Sequence, residues 1–183
     1  MAAYGREMDK VSGVVSIEYS HFYISEHLGS EWAGVDQLPD FCTDEPVIIT
    51  PGQLTVVSCV QSHDAWVTLM LAETEPVQQA QDWQLLGIWP YRPLDSGQMS
   101  LWGPTTGPAV PAAGWLTGGQ GHAPALQLNP ASIYAVHVYA KGRQDSWARQ
   151  DAAMRRKEWV HEGLESYVAA FIPAGPAPGG TQR

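Results

Sequence analysis

The sequence predicts an all-β protein: an antiparallel β-sandwich of about eight strands, with one helix inserted before the last strand. Two closing runs carry most of that expectation. Residues 126–141 (LQLNPASIYAVHVYAK) and 165–173 (ESYVAAFIP) alternate β-branched or aromatic residues with small or polar ones, and turn residues stand at their borders. Half-buried strands read this way. The third observation is the opening run 14–24 (VVSIEYSHFYI). There Val15, Ile17, Tyr19, His21 and Tyr23 share one face, while Ser16, Glu18, Ser20 and Phe22 share the other. A closed barrel satisfies the same pattern, and strand count does not separate the two.

Taken in order, residues 1–10 are polar and predict a flexible N-terminus. After the first strand, residues 27–43 carry Gly, Pro and Asp and read as a loop, which Trp32, Val35, Leu38 and Phe41 would pin down. Residues 47–50 and 54–60 flank Pro51-Gly52, where proline presets φ and glycine accepts φ > 0, so a hairpin or a sharply bent strand is expected. Gln61-Ser62-His63-Asp64 reads as a polar turn. Residues 65–72 (AWVTLMLA) are apolar on both faces and predict a central strand. Residues 82–89 (DWQLLGIW) predict another, with Gly87 marking a bulge or close packing.

A short strand over 98–102 leads into 103–124, a Gly/Pro/Ala/Thr-rich loop whose length is unusual in a compact domain. After the strand 133–140, residues 146–161 predict the helix. Asp145 or Ser146 would cap it, with Trp147, Met154 and Trp159 facing the body and Arg149, Arg155, Arg156 and Lys157 facing water. Residues 167–172 form the final strand. The expected organisation is therefore a flexible segment 1–10, a single β-sandwich domain 11–173 and a disordered C-terminal tail 174–183.

Composition narrows the class. At 183 residues, with 44% hydrophobic content and eight tryptophans, the chain suffices for one domain with a substantial core. No apolar run approaches the ~20 residues that span a bilayer. The first residues lack the charged-then-apolar layout of a secretory signal. A cytoplasmic protein without membrane contact is expected. Cys42 and Cys59 make no disulfide framework and no metal-ligand spacing; two reduced, mostly buried thiols are the expectation.

Charge is uneven. Through Ala140 there are three basic residues against fourteen acidic ones, and from Lys141 onward seven against five, for a net charge of −9. Such a surface repels nucleic acid and suits a basic protein partner.

Two stretches resemble a known group. The run LQLNPASIYAVHVYAKGRQD, followed by GLESYVAAFIPA, resembles the closing motif of small uncharacterised bacterial β-sandwich proteins. In these a Leu-Pro-Pro-Gly-type turn leads into a Tyr-centred strand, and the last strand ends at Pro-Ala. The opening VSIEYSHFYI resembles the start of the competence-associated inhibitor of the DNA-entry nuclease. The resemblance covers the two ends and none of the middle. It implies a small acidic cytoplasmic β protein that blocks an enzyme by binding it. Here the turn reads Asn129-Pro130-Ala131-Ser132, without the glycine, and Ile172 stands where an aromatic residue is commoner.

Candidate chemistry is sparse. His63-Asp64 pairs a base with an orienting carboxylate, but no Gly-x-Ser-x-Gly elbow supplies a nucleophile, and a solvated turn accounts for the pair. Six histidines contain no His-x-His pair; His21 and His137 are expected to face inward and to be satisfied within the sheet. Gly118-Gly119-Gln120-Gly121 lacks the Lys-Ser/Thr of a phosphate loop. Arg155-Arg156-Lys157 reads as a solvated helix face. Trp66, Trp83 and Trp89 are expected in the core, with Trp32, Trp102, Trp115, Trp147 and Trp159 in or near loops and the helix.

The resulting expectation is a non-enzymatic protein-binding module, of the immunity or nuclease-inhibitor kind, with no catalytic residue, metal or cofactor. Glu26, Glu31, Trp32, Asp36, Asp40, Asp44 and Glu45 would meet the basic partner. Two alternatives stay open: a ligand-binding protein or enzyme with a pocket under the 103–124 loop, and a structural or assembly subunit. Oligomeric state is not legible.

Overall fold

Alternation builds the first long pair. In β1 (Glu7–Ile17), Val11 and Val15 stand opposite Leu69 and Ala65 of β5 (His63–Ala72), with the apolar side chains turned to one face. The computed structural model describes residues 7–26, 44–76, 82–112, 124–158 and 162–177. Its other strands are β2 (His21–Glu26), β3 (Val47–Thr50), β4 (Gln53–Val57), β6 (Trp83–Tyr91), β7 (Gln98–Gly103), β8 (Gly107–Pro108), β9 (Val110–Pro111), β10 (Ala125–Gln127), β11 (Ser132–Lys141) and β12 (Glu162–Pro176). One helix, α1 (Ser146–Arg155), precedes β12.

The strands form two sheets, in the orders β6-β11-β12-β5-β1-β9 and β10-β7-β2-β4-β3, with β8 beside β7. Their inner faces make one core, from Val67, Val136 and Phe171 on one side to Phe22, Leu54 and Leu101 on the other. An aromatic edge knits them together, with Phe22 meeting Tyr167 at a ring separation of 5.1 Å, and within the larger sheet Phe171 meets Tyr91 at 5.9 Å. An all-β sandwich with one inserted helix is the architecture that the alternation predicts.

All these ladders are antiparallel except one: β12 lies parallel to β5. It follows that β5 and β6 also point the same way, so the connection 73–82 must cross the sheet. Its Glu75 accepts a hydrogen bond from Tyr139 OH at 3.2 Å on the outer face of β11. Outward-facing His137 and Tyr139, both buried, lie against this Glu75.

Several local expectations change. The run 14–24 is not one strand: Tyr19 and Ser20 break it, and β1 and β2 enter different sheets. His63 is not in a turn but opens β5, 2% exposed. The helix stops at Arg155, and it turns Ser146 and Ala153 inward while Trp147 and Met154 face water. Small side chains let it lie close against β12, whereas an inward Trp147 would hold it off. The core is also not built on tryptophan. Trp66 is exposed and Trp83 and Trp89 half-buried, while Phe22, Phe171, Tyr134 and Tyr167 fill the interior. Cys59 is exposed, and Cys42 lies outside the described residues. Strand β1 begins at Glu7 and β12 runs to Pro176, beyond the expected limits of the domain.

Pro51-Gly52 forms the β3–β4 turn, with Gly52 at φ +73° as its sequence requires. Gly87 sits beside a register shift between β6 and β11, and a Cβ there would approach the Trp89 ring to 2.6 Å. Both readings of that glycine hold: it marks a bulge and a close approach.

Candidate functional site at one end of the sandwich

At one end of the sandwich, the end of β4, the starts of β5 and β12, and helix α1 converge on a buried carboxylate. Alternation puts Glu165 on the same inward side as Tyr167, and it is 1% exposed. A carboxylate there is tolerated only with donors around it. Glu165 accepts from Ser146 Oγ at 2.6 Å, Ser58 Oγ at 2.8 Å, the Cys59 N–H at 3.1 Å and Tyr167 OH. Burial, reinforced by the Glu165 charge, holds the Tyr167 phenol well above its ordinary value.

His63 completes the cluster. Its Nε2 lies 3.4 Å from Ser58 Oγ and 4.0 Å from Glu165 Oε2. Burial holds the imidazole below its ordinary value, although the Glu165 charge pulls the other way. A serine, a histidine and a carboxylate together suggest acyl transfer, but the geometry differs from that of a triad. In a triad the carboxylate orients the far ring nitrogen, leaving the near one to take the serine proton. Here Glu165 and His63 Nε2 both meet the Ser58 hydroxyl, which donates to Glu165. The His63 and Glu165 side chains are fully covered. The cluster is a clasp that ties two strands and the helix together.

Cations reinforce this end. Arg143 donates to Val57 O and, at 3.4 Å, to Tyr167 OH. Arg149 pairs with Asp145 at 3.1 Å and donates to Gly142 O, Gly163 O and Leu164 O. A cleft of about 630 Å³ opens beside them, bordered by Trp83, Lys141 and Gln144, and its Lys141 pairs with Asp82 at 3.1 Å. Another of about 570 Å³ lies between Ile49 and Leu94. Neither is bordered by residues 103–112 or 124, the described parts of the loop under which the alternative reading puts a pocket; residues 113–123 lie outside the described residues.

The β1–β2 turn caps the same end. Tyr19 and Ser20 have φ of +52° and +63°, the pattern of a type I′ hairpin turn, which favours Asn-Gly. Left-handed backbone costs a residue with a Cβ about 1–2 kcal/mol. Hydrogen bonds fix it: the Ser20 N–H donates to Gln61 O at 3.0 Å, the Ser58 N–H to Ser20 O at 2.8 Å and the His21 N–H to Glu18 O at 3.2 Å. His21 Nδ1 lies 3.0 Å from Tyr19 O. The Tyr19 side chain is 68% exposed at the tip.

Of the residues expected to meet a partner, the three that are described, Glu26, Asp44 and Glu45, are not brought together. Glu26 is buried, and its carboxylate accepts from the N–H groups of Leu94, Asp95 and Gly97 at 2.9–3.0 Å. It anchors the 94–97 turn rather than steering a partner. Asp44 and Glu45 are exposed just before β3. Since β2 and β3 both run antiparallel to β4, these two stand at the opposite end of the sheet from Glu26. Glu31, Trp32, Asp36 and Asp40 lie outside the described residues.

Both histidines expected inward are buried, but on the outer faces of their strands, since Phe22, Ile24, Val136 and Val138 take the core side. His21 Nε2 lies 2.9 Å from Tyr23 OH, and His137 Nδ1 lies 3.4 Å from Tyr139 OH and 3.9 Å from Glu75. Among the described residues, no three His, Cys, Asp or Glu side chains stand where they would hold a metal ion. No helix among them is long and apolar enough to cross a membrane. The clasp was missed in the sequence because Ser58, Ser146 and Glu165 are far apart in the chain. One signal was present: a carboxylate at an inward position of the final strand, two residues before Tyr167.

No protein-family model matches the chain, and no curated protein matches it in sequence. A solved structure does share its fold. ComJ from Bacillus subtilis, inhibitor of the DNA degrading activity of NucA, superposes with a TM-score of 0.52 over 94% of this chain and 100% of its own, at 10% identity. A crocagin biosynthetic gene J product covers 91% of this chain and 97% of its own, with a TM-score of 0.48 and 11% identity. The likeness to ComJ is one of fold. It spans 94% of this chain, whereas in sequence only the opening run resembles this kind of inhibitor.

Proposed function

We propose that this protein is a cytoplasmic, non-enzymatic binding module of the inhibitor or immunity kind, which meets a basic protein through its acidic surface. The observation that carries the proposal is the full-length match between its fold and that of ComJ, an inhibitor of the DNA degrading activity of NucA. A net charge of −9 fits a basic partner. Exposed Asp44 and Glu45 belong to that surface, together with Glu31, Trp32, Asp36 and Asp40 as read from sequence. The geometry of the Ser58–His63–Glu165 cluster, sealed and serving as a clasp, also favours binding over catalysis. Immobilised protein tests the proposal in native lysate: it is expected to retain a basic protein at low salt and release it at about 0.5 M salt, where surface charges are screened. Finding no retained protein at low salt overturns the proposal.

A further inference from the structure

Resting on the protein-binding reading, we infer that the partner docks on the end of the sandwich where Tyr19 and the outer stripe of α1 stand side by side, with Tyr19 as its anchor. Three large side chains without a role in the core are exposed there: Tyr19 at 68%, Trp147 at 60% and Met154 at 50%. Hydrogen bonds place them on one surface. The Ser20 N–H donates to Gln61 O at 3.0 Å, and Gln150 Nε2 donates to Ser62 O at 2.9 Å, so the 61–62 loop joins the turn to the helix. Trp147, Gln150 and Met154 follow the i, i+3, i+7 spacing of one helical stripe.

The turn explains why Tyr19 is the anchor. Both central residues hold a backbone that suits glycine or asparagine, yet the chain keeps a tyrosine at the first position. The turn that carries it is fixed by the four bonds described above, one of them to Tyr19 O itself, so little freedom is lost when a partner closes over the ring. Rigid tyrosine and tryptophan side chains are what binding surfaces concentrate on for that reason.

Charge selects the occupant. Glu18 adjoins Tyr19, Asp64 opens the neighbouring part of β5, and Asp44 and Glu45 lie at the same end. Several cations on this side are engaged: Arg143 with Val57 O and Tyr167 OH, Arg149 with Asp145, Arg155 with Asp151 at 2.8 Å, and Arg156 with Glu158 at 3.0 Å. A protein presenting Arg or Lys beside an apolar patch fits, with its cation over the Tyr19 ring.

The test places a photoreactive benzoylphenylalanine at position 19, 147 or 94 of the full chain in its native cell. Leu94 is 51% exposed and stands beside Glu26, at the far end, as the control. Positions 19 and 147 are expected to crosslink to one basic protein, and position 94 to none. With that protein purified, Tyr19→Gly is expected to weaken binding about tenfold or more. The same substitution relieves the left-handed backbone, so the folded state should be no less stable, which separates lost binding from lost structure. Crosslinks from 94 alone, or unchanged affinity in Tyr19→Gly, overturn this docking surface and leave the protein-binding reading standing. Recovery of no protein by crosslinking or by low-salt capture removes both.

Discussion

Ser146 Oγ donates to Glu165 Oε1 at 2.6 Å, so the first residue of the helix is bonded to a carboxylate inside the final strand. The N-cap residue Asp145 makes no side-chain capping bond to the helix. The start of α1 is therefore held by the clasp rather than by a conventional cap.

Glu165→Leu removes the shared acceptor of four donors. Unpaired buried donors and a lost charge-assisted network are expected to cost about 3–5 kcal/mol. Urea unfolding measures this as a lower midpoint. Hydrogen exchange should open α1 first.

Glu26→Gln is expected to loosen the 94–97 turn, because an amide cannot accept from all three backbone N–H groups. A loss of about 2 kcal/mol follows, with faster exchange at Leu94, Asp95 and Gly97. The salt dependence of partner binding should stay as in the parent protein, since Glu26 is covered. A weaker salt dependence would return Glu26 to the binding surface.

His63 sets an acid limit. Burial lowers its folded-state pKa below the ordinary value of 6.5, so the unfolded chain binds the proton more readily. The contribution is full above pH 6.5 and is lost as pH falls from there through the folded-state value. His63→Leu should flatten that part of the stability–pH curve. An unchanged slope would show that the imbalance lies elsewhere.

Tyr139 gives a signal at the alkaline end. Burial, the Glu75 charge and its hydrogen bond push the phenol up to about 12. The neutral form is favoured in the fold, so stability is intact below pH 10 and declines as pH rises through 12. Ultraviolet titration should show a phenol ionising near pH 12 that Glu75→Gln brings down and Tyr139→Phe removes, while the more deeply buried Tyr91 and Tyr167 ionise later still.

Alternation made the strands legible at both ends of the chain, because one face of each run is buried and side chains repeat every second residue. The Tyr19-Ser20 turn was invisible for the same reason: nothing in YS marks a left-handed backbone, and the alternation continues through it. Trp147 and Met154 misled because apolar spacing predicts an inward face, while the body accepts only Ser146 and Ala153. His63 and Glu165 were hidden by their separation in sequence. Only the β12–β5 pairing brings His63 to Glu165.

The arrangement of β12 has a bearing on how the protein assembles. Fifteen residues that follow every other described strand in the chain occupy an interior position of the larger sheet, with β11 on one side and β5 on the other. Until they arrive, β6 and β11 have no partner linking them to β1 and β5. A nascent chain stopped short of Glu162 would hold two unjoined half-sheets with open edges, and a binding surface whose helix has nothing beneath it. Assembly should thus be a late event in synthesis, dominated by distant contacts and correspondingly slow.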